Sequence, residues 1–205
     1  MDEIVKQALA KWPDVPHCYD WLALDARGYW RMRDAHAQQH GLSGERITSP
    51  ALIGFIQRNY THDETGRWYF QNGPQRVYVN LEAAPYIART RLQEFYVQTG
   101  KPLGRLVAAW MTEQGRLFLQ NDQAYIALLD DRDLAECLPR LRTTAGEPLD
   151  EEVLLSKLNE AVHSSSADLQ LILKTDAEKT IPVGFVAENA VAQTFGFVKQ
   201  PRPSS

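Results

Sequence analysis

The dipeptide Asn72-Gly73 constrains the fold more than any other feature of this sequence, because it lies between two runs of strand-forming residues. Both residues tolerate the positive φ angles that tight hairpin turns require. The run before it is 67–71 and the run after it is 75–82, in which aliphatic residues occupy alternate positions. We therefore predict an antiparallel hairpin, with Pro74 lengthening its loop beyond two residues.

Alternation along these strands assigns their side chains to two faces, because neighbouring side chains of a strand point in opposite directions. The aliphatic set is expected to face the interior: Val77, Val79 and Leu81. The polar and aromatic set is expected to face outward: Arg67, Tyr69, Gln71, Arg76, Tyr78 and Asn80. Alanine at both Arg76 and Tyr78 is therefore expected to leave the melting temperature nearly unchanged.

Further hairpins and a few short helices are indicated along the rest of the chain. Strands are predicted in these segments: 21–24, 29–33, 87–97, 106–112, 116–120, 124–129, 169–173 and 181–186. Helices are predicted in these: 2–12, 49–59, 130–138 and 150–162. The polar stretch 35–44 is predicted to be a surface loop, and the Pro/Ser-rich end, 200–205, is expected to be frayed.

These elements predict an α+β fold of mostly antiparallel β-hairpins, which form roll-like sheets with a few short packed helices. The length suits two lobes, which we place at residues 1–84 and 85–205. Segment 66–72 matches 115–121 in residue type, and 25–30 is a weaker third copy. Either one hairpin unit is reused, or hairpin turns that contain glycine simply resemble one another.

Composition narrows the class of protein. Apolar residues make up 44% of the 205 residues and charged residues 23%, as in soluble domains. The longest apolar runs are too short to cross a bilayer, and Asp2 and Glu3 have the wrong charge for a signal peptide. A cytoplasmic location is therefore expected, with Cys18 and Cys137 reduced. The net charge of −4 disfavours nucleic acid, since phosphate contacts need concentrated basic residues.

The order hairpin, Ser-Pro helix, hairpin carries a resemblance to known proteins. Its most specific part is Gly66-Arg67-Trp68-Tyr69-Phe70-Gln71-Asn72-Gly73-Pro74-Gln75-Arg76-Val77-Tyr78-Val79. Over roughly residues 21–87 the sequence resembles uncharacterised proteobacterial proteins known only as a domain of unknown function. The resemblance implies a two-lobed α+β protein with roll-like sheets, and it implies no activity.

The outward face of the central hairpin supplies the main functional hypothesis. Arginines interleaved with tyrosines provide a large contact area with hydrogen-bonding ends, which suits a binding surface. We therefore predict a non-enzymatic binding or interaction module for a small anionic or aromatic ligand or a partner protein. Its candidate ligand-binding residues are Arg58, Arg67, Tyr69, Gln71, Arg76 and Tyr78. Two structural alternatives stay open: an ordinary solvated sheet face, and a seam between the lobes.

An enzyme of unrecognised type is the alternative function. His62 adjoins Asp63 and Glu64 where a helix meets a hairpin, and a histidine beside carboxylates can act as a general base. In that case Arg58 or Arg76 would hold an anionic substrate. The structural interpretation is that Asp63 and Glu64 form a turn, while His62 binds a carbonyl at the helix end.

Neither a metal site nor a cofactor is predicted. His36 and His40 have the spacing of a metal pair on a helix, but the sequence offers no third ligand nearby. Cys18 adjoins His17, yet neighbours on a strand point apart and would not form a nucleophile–base pair. Phosphate-loop, dinucleotide-binding and serine-elbow motifs do not occur in the sequence.

Overall fold

The computed structural model describes residues 1–92, 94–164, 167–175 and 179–203. They form two compact units, and each unit has its own β-sheet. Unit 1 consists of Met1–Pro85 together with the C-terminal residues from Gly196, and unit 2 consists of Tyr86–Phe195. The predicted α+β class, built around two sheets, is confirmed.

Six described strands form the sheet of unit 1. They are β1 (Cys18–Leu24), β2 (Trp30–Met32), β3 (Glu45–Arg46), β4 (Tyr60–His62), β5 (Trp68–Asn72) and β6 (Gln75–Leu81). Their order is β3-β2-β1-β6-β5-β4, and neighbours are antiparallel except β1 and β6, which are parallel. The helices of this unit are α1 (Glu3–Lys11), α2 (Ala35–Gln39) and α3 (Pro50–Arg58).

The sheet of unit 1 is strongly curled. The rings of Trp30 in β2 and Tyr60 in β4 meet edge to face, with centroids 5.1 Å apart. Four strand spacings separate β2 from β4, which would amount to about 19 Å in a flat sheet. The face that carries both rings is therefore concave, and it also holds Val79 and Leu81, which are buried as predicted. The roll-like sheet expected from the sequence is confirmed.

Helix α3 packs on the concave face, and its start is set by the local sequence. Ser49 accepts a hydrogen bond from the backbone N–H of Leu52 at 3.4 Å, and Pro50 occupies the first turn, as predicted. Phe55 packs edge to face on Phe70 of β5, with ring centroids 5.3 Å apart. Because the helix is short, this packing rather than helix propensity stabilises it.

The central hairpin closes more tightly than the sequence predicted. Asn72 pairs with Gln75, which leaves Gly73 and Pro74 as a two-residue loop. Gly73 has a φ of +56°, and the proline ring fixes the next φ near about −65°. Glycine with positive φ at the first loop position is typical of a type II′ turn, whose twist matches that of the strands. Pro74 therefore completes the turn and does not lengthen it.

One turn recurs in four described segments: 25–28, 63–66, 112–115 and 143–146. In each, the first residue accepts a backbone hydrogen bond from the fourth, a glycine with φ between +74° and +86°. The side chain of the first residue accepts a further backbone N–H; these residues are Asp25, Asp63, Thr112 and Thr143. The likeness between 66–72 and 115–121 therefore reflects a shared turn that ends in a left-handed glycine.

Eight described strands form the sheet of unit 2. They are β7 (Tyr86–Arg91), β8 (Glu94–Val97), β9 (Leu106–Met111), β10 (Leu117–Asn121), β11 (Ile126–Leu129), β12 (Leu141–Thr143), β13 (Asp168–Lys174) and β14 (Thr180–Phe185). Their order is β12-β13-β14-β9-β10-β11-β7-β8, with parallel pairs at β14–β9 and β11–β7. The helices are α4 (Asp131–Cys137), α5 (Glu151–Ser164) and α6 (Val191–Thr194), and a 3₁₀ turn at Leu138–Arg140 follows α4.

Three segments differ from their prediction. The stretch 87–97, predicted as one strand, contains two strands, β7 and β8, which pair with each other in antiparallel orientation. The stretch 35–44, predicted to be a loop, contains α2, because Asp34 caps this helix by accepting the Ala37 N–H at 2.8 Å. At the C-terminal end, where fraying was expected, Pro201 is buried and Arg202 forms an ion pair with Asp20. The last two residues of that predicted segment, 204 and 205, lie outside the described residues, as does residue 93 between β7 and β8.

Two glycines of the recurring turn differ in how closely the rest of the chain approaches them. Gly66 and Gly115 have φ of +77° and +74°, so alanine is strained at both positions. A Cβ atom at Gly66 would lie 2.1 Å from the backbone oxygen of Gly196, whereas one at Gly115 would meet nothing within 4 Å. We expect Gly115→Ala to cost about 1–2 kcal/mol in urea unfolding and Gly66→Ala to cost distinctly more. Equal losses would contradict this close approach of the C-terminal segment.

Candidate ligand-binding site on the tyrosine face

Three tyrosines form a row on the face of the unit 1 sheet that lies opposite the concave one. Tyr19, Tyr78 and Tyr69 belong to the neighbouring strands β1, β6 and β5. The rings of Tyr19 and Tyr78 are stacked, with centroids 4.7 Å apart and planes 9° apart. Tyr69 is paired with Tyr78 across the hairpin and meets its ring edge to face at 5.7 Å. Strand pairing thus positions the rings, which we term the tyrosine row.

Two arginines of the same face lie over the tyrosine row. The guanidinium carbon of Arg67 is 5.1 Å from the ring centroid of Tyr78, and that of Arg76 is 4.7 Å from the ring centroid of Tyr69. Both distances lie within the range of cation–π attraction. The structure therefore brings together four of the predicted ligand-binding residues, in the alternation that the sequence indicates.

The carboxylate of Asp63 fixes this arrangement. Its Oδ1 accepts hydrogen bonds from the N–H and the hydroxyl of Thr65 and from the N–H of Arg67, at 2.8–3.1 Å. Its Oδ2 accepts the Arg67 Nε–H at 2.8 Å and the Tyr78 hydroxyl at 3.1 Å. Burial by itself would raise the pKa of Asp63, but the hydrogen bonds from Thr65 and Arg67 outweigh it and lower the pKa to about 2. Asp63 is therefore a structural anion at neutral pH.

The side of the cluster that reaches solvent is positive. Arg76 is half-buried, and no carboxylate oxygen of the described residues lies within 4.0 Å of its guanidinium. His17 is exposed, and its ring meets Tyr78 edge to face at 5.7 Å. The pKa of His17 is lowered, first by burial of part of its ring and then by the charges of Arg76 and Arg67. The contributions of Arg76 and Arg67 show that both arginines act on the position of His17, where their positive charges would attract an anion.

The expectation that Tyr69, Gln71 and Tyr78 point into solvent is wrong. Tyr78 is 1% exposed, Tyr69 7% and Gln71 0%. Val79, on the opposite face, is also buried, so both faces of the strand are covered. Alternation assigned the faces correctly, but it could not show that both faces are covered. Because Tyr78 lies under the ring of Tyr19 and the guanidinium of Arg67, the double alanine variant at positions 76 and 78 would lose stability.

The C-terminal segment contributes to this cover. The N–H of Val198 donates to the carbonyl of Gly66 at 3.0 Å, and Nη1 of Arg67 donates to the carbonyl of Arg202 at 3.5 Å. Arg202 in turn forms its ion pair with Asp20 at β1. The segment therefore ties the turn before β5 to the strand that carries Tyr19.

Two predicted ligand-binding residues lie outside the solvent-facing part of this cluster. Arg58, at the end of α3, forms an ion pair with Asp2 at 3.2 Å. Gln71 is buried opposite Arg76, and its Nε2 donates to the carbonyl of Gly73 at 2.9 Å. The Gln71 Oε1 has no hydrogen-bond partner among the described residues.

The structure does not assemble His62, Asp63 and Glu64 into an acid–base group. The His62 ring packs against Trp68 on the concave side, with centroids 4.8 Å apart, and its Nδ1 lies 2.9 Å from the backbone oxygen of Asp63. The Asp63 carboxylate instead binds Arg67 on the opposite face, and Glu64 is exposed. Consecutive side chains of an extended segment diverge in this way.

Metal-binding residues are not grouped in the part of the chain that the structure describes: no three His, Cys, Asp or Glu side chains come together there. His36 and His40 do meet on α2, with ring centroids 4.3 Å apart, but both are exposed. The absence of a metal and of a cofactor stays a prediction.

Sequence reasoning missed His17 and Tyr19 as members of the cluster, and considered His17 only as a neighbour of Cys18. Both reach the cluster because β1 pairs in parallel with β6, with an irregularity in register between Cys18 and Leu22. Two parallel strands are joined by a long connection without a characteristic turn sequence. In a hairpin, by contrast, the turn sequence shows that the strands on either side of it pair with each other. The local sequence therefore held no signal for them.

Comparison with known proteins supplies a family. The model of the family DUF2944, described as "Protein of unknown function (DUF2946)", matches residues 1–202. The chain belongs to this family. The resemblance to a domain of unknown function is thereby confirmed, and it extends over nearly the whole chain.

A solved structure is also similar to this chain. It is a DUF1285 family protein from Silicibacter pomeroyi DSS-3, with 12% sequence identity and a TM-score of 0.47 over 91% of this chain and 97% of that one. No curated protein matches the chain. Among the helices described for the chain, none combines the length and the apolar character needed to cross a membrane.

Tyr78 tests whether the tyrosine face is covered. We expect Tyr78→Ala to cost about 3–5 kcal/mol of unfolding free energy, because it removes a buried ring from between Tyr19 and Tyr69. Tyr78→Phe keeps the ring and removes only the hydroxyl bonded to Asp63, so it should cost about 1 kcal/mol. Urea unfolding measures both. An alanine variant as stable as the wild type would show that this ring lies in solvent.

Asp63 predicts a pH dependence of stability. Its pKa is about 2 in the folded protein and has a reference value of 3.8, so folding favours the ionised form. The resulting stabilisation of about 2 kcal/mol is fully present above about pH 5 and is lost as the pH falls towards 2. We expect the difference in unfolding free energy between wild type and Asp63→Asn to shrink over that interval. A difference independent of pH between 6 and 2 would contradict the assignment.

Proposed function

We propose that the protein is a non-enzymatic binding module that takes a small anionic ligand at Arg76, His17 and Tyr19. The observation that carries this proposal is the state of Arg76, which is half-buried and has no carboxylate within 4.0 Å among the described residues. Arg76 interacts with the hydroxyl of Tyr78, which has no full charge. A guanidinium that is partly removed from water and has no carboxylate partner gains free energy when an anion binds it through charge-assisted hydrogen bonds.

The charges around the tyrosine row favour an anionic ligand over a cationic one. Arg67 and Arg76 contribute two positive charges to the cluster and Asp63 one negative charge, although the whole chain has a net charge of −4. Asp63 is already satisfied by Arg67 and Tyr78, so it offers little to a cationic ligand. The uncompensated charge is that of Arg76.

The chemistry of the exposed groups suits carboxylates and phosphates. The planar guanidinium of Arg76 can donate two parallel hydrogen bonds to either group. His17, with its lowered pKa, is mostly neutral at pH 7 and can donate one ring N–H. Tyr19, half-buried and stacked on Tyr78, adds a hydroxyl and an aromatic surface on which a planar ligand can lie.

No specific observation favours the enzyme alternative, because His62 and the Asp63 carboxylate lie on opposite faces of the sheet. The two cysteines, Cys18 and Cys137, are both thiols, and Cys137 is buried. Burial raises the pKa of Cys137 to about 11, which makes it unreactive. Reduced thiols support a cytoplasmic location for this module.

Thermal shifts with defined anions test the proposal. Pyrophosphate, citrate and benzoate are added at one ionic strength, with sodium chloride as the reference salt. At ten times its Kd, a ligand of the folded state stabilises it by about 1.4 kcal/mol. We expect at least one of these anions to raise the melting temperature of the wild type above the chloride value, and Arg76→Ala to abolish that increment.

Arg105→Ala is the matched control, because Arg105 is exposed and lies in unit 2. It removes one positive charge from the chain and should retain the full increment. The increment, rather than the melting temperature itself, is compared, since Arg76→Ala also removes a contact with Tyr69. If none of the three anions exceeds chloride, or if Arg76→Ala keeps the wild-type increment, the proposal is wrong.

A further inference from the structure

Unit 2 contains a large apolar cavity between α4, β12 and α5. Its volume is about 640 Å³, within the range typical of small-molecule sites. The floor is formed by core residues that are buried: Met111, Leu141 and Leu158. The walls are mostly leucines of α4, of α5 and of the segment before α5.

The mouth of this cavity leaves apolar side chains in water. Leu155 of α5 is 53% exposed and Leu138, after α4, is 37% exposed, and both line the cavity. An aliphatic group in the cavity would remove this apolar surface from water, which is favourable.

One basic side chain gives this apolar cavity a polar end. Arg142 of β12 lines it and is half-buried. Its Nη1 donates to the backbone carbonyls of Pro139 and, at 2.7 Å, of Leu141, which fixes the orientation of the guanidinium. The N–H groups on Nε and Nη2 have no partner among the described residues. Arg142 therefore offers a preorganised set of donors of the kind that binds carboxylates.

We propose that this cavity binds an amphipathic carboxylate, with its aliphatic chain among the leucines and its carboxylate on Arg142. Two acidic residues at the start of α5 also line the cavity. Asp150 is engaged by the N–H of Val153 at 2.8 Å, and Glu151 is exposed and can keep its hydration. The half-buried guanidinium, in contrast, gains most from a ligand of opposite charge. This inference concerns unit 2 and does not depend on the anion site in unit 1.

Three probes with the same chain and different head groups test the proposal on the wild-type protein: decanoate, decanol and decylamine. Isothermal titration below their micelle concentrations should show decanoate binding at one site, at least about tenfold more tightly than decanol, because charge-assisted bonds to Arg142 are lost with the alcohol. Arg142→Gln should reduce decanoate to the affinity of decanol. Decylamine binding more tightly than decanoate would overturn the proposal, as would no binding of decanoate.

Substitutions on α5 locate the site of binding. Leu155→Trp places a large ring at the mouth of the cavity and should weaken decanoate binding at least about tenfold. Val162→Trp is the matched control, since Val162 is also exposed on α5 but does not line the cavity. Decanoate affinity that is equal in both variants would overturn the site. Arg76→Ala should bind decanoate as the wild type does, which separates this result from the anion site of unit 1.

Discussion

The carboxylate of Asp63 accepts hydrogen bonds from the backbone of a turn, from an arginine and from a tyrosine at the same time. The covered face of unit 1 depends on these hydrogen bonds. One oxygen closes the turn that leads into β5, and the other binds Arg67 and the hydroxyl of Tyr78. With its guanidinium held there, Arg67 lies over the Tyr78 ring and donates to the C-terminal segment. A tyrosine hydroxyl can then be buried on a sheet without losing its hydrogen bond.

The choice of aspartate or threonine at the first position of the recurring turn has a structural consequence. Both side chains accept a backbone N–H and so close the turn. Only the carboxylate has a charge and a second oxygen, with which it fixes an arginine: Asp63 binds Arg67, and Asp25 binds Arg31 at 2.7 Å. In the turn that starts with Thr112, the arginine after the glycine pairs with Glu188 instead. The same backbone turn thus directs its arginine to different partners.

Because Asp63 pairs with Arg67, the positive charge that faces solvent at the tyrosine row is that of Arg76. Arg67 reaches from the turn to Asp63, while Arg76 comes from β6 and lies over Tyr69. Stacking on an aromatic ring uses the flat face of a guanidinium. The N–H groups at the edge of the guanidinium can still donate hydrogen bonds to an anion. The ring of Tyr69 therefore supports Arg76 from one side, while the rings of His17 and Tyr19 contact the next tyrosine of the row, Tyr78.

The sequence by itself determined the local elements of this protein. Ser49-Pro50 begins a helix, the alternation over 75–82 separates two faces of a strand, and each recurring turn ends at a glycine, because caps, turns and alternation act over a few residues. Burial of both faces was decided by the tertiary structure alone. Tyr19 reaches Tyr78 through a parallel strand pair, and the segment after Gly196 returns to the turn at Gly66. Such contacts join residues far apart in sequence, and their free energy comes from packing that no local pattern encodes.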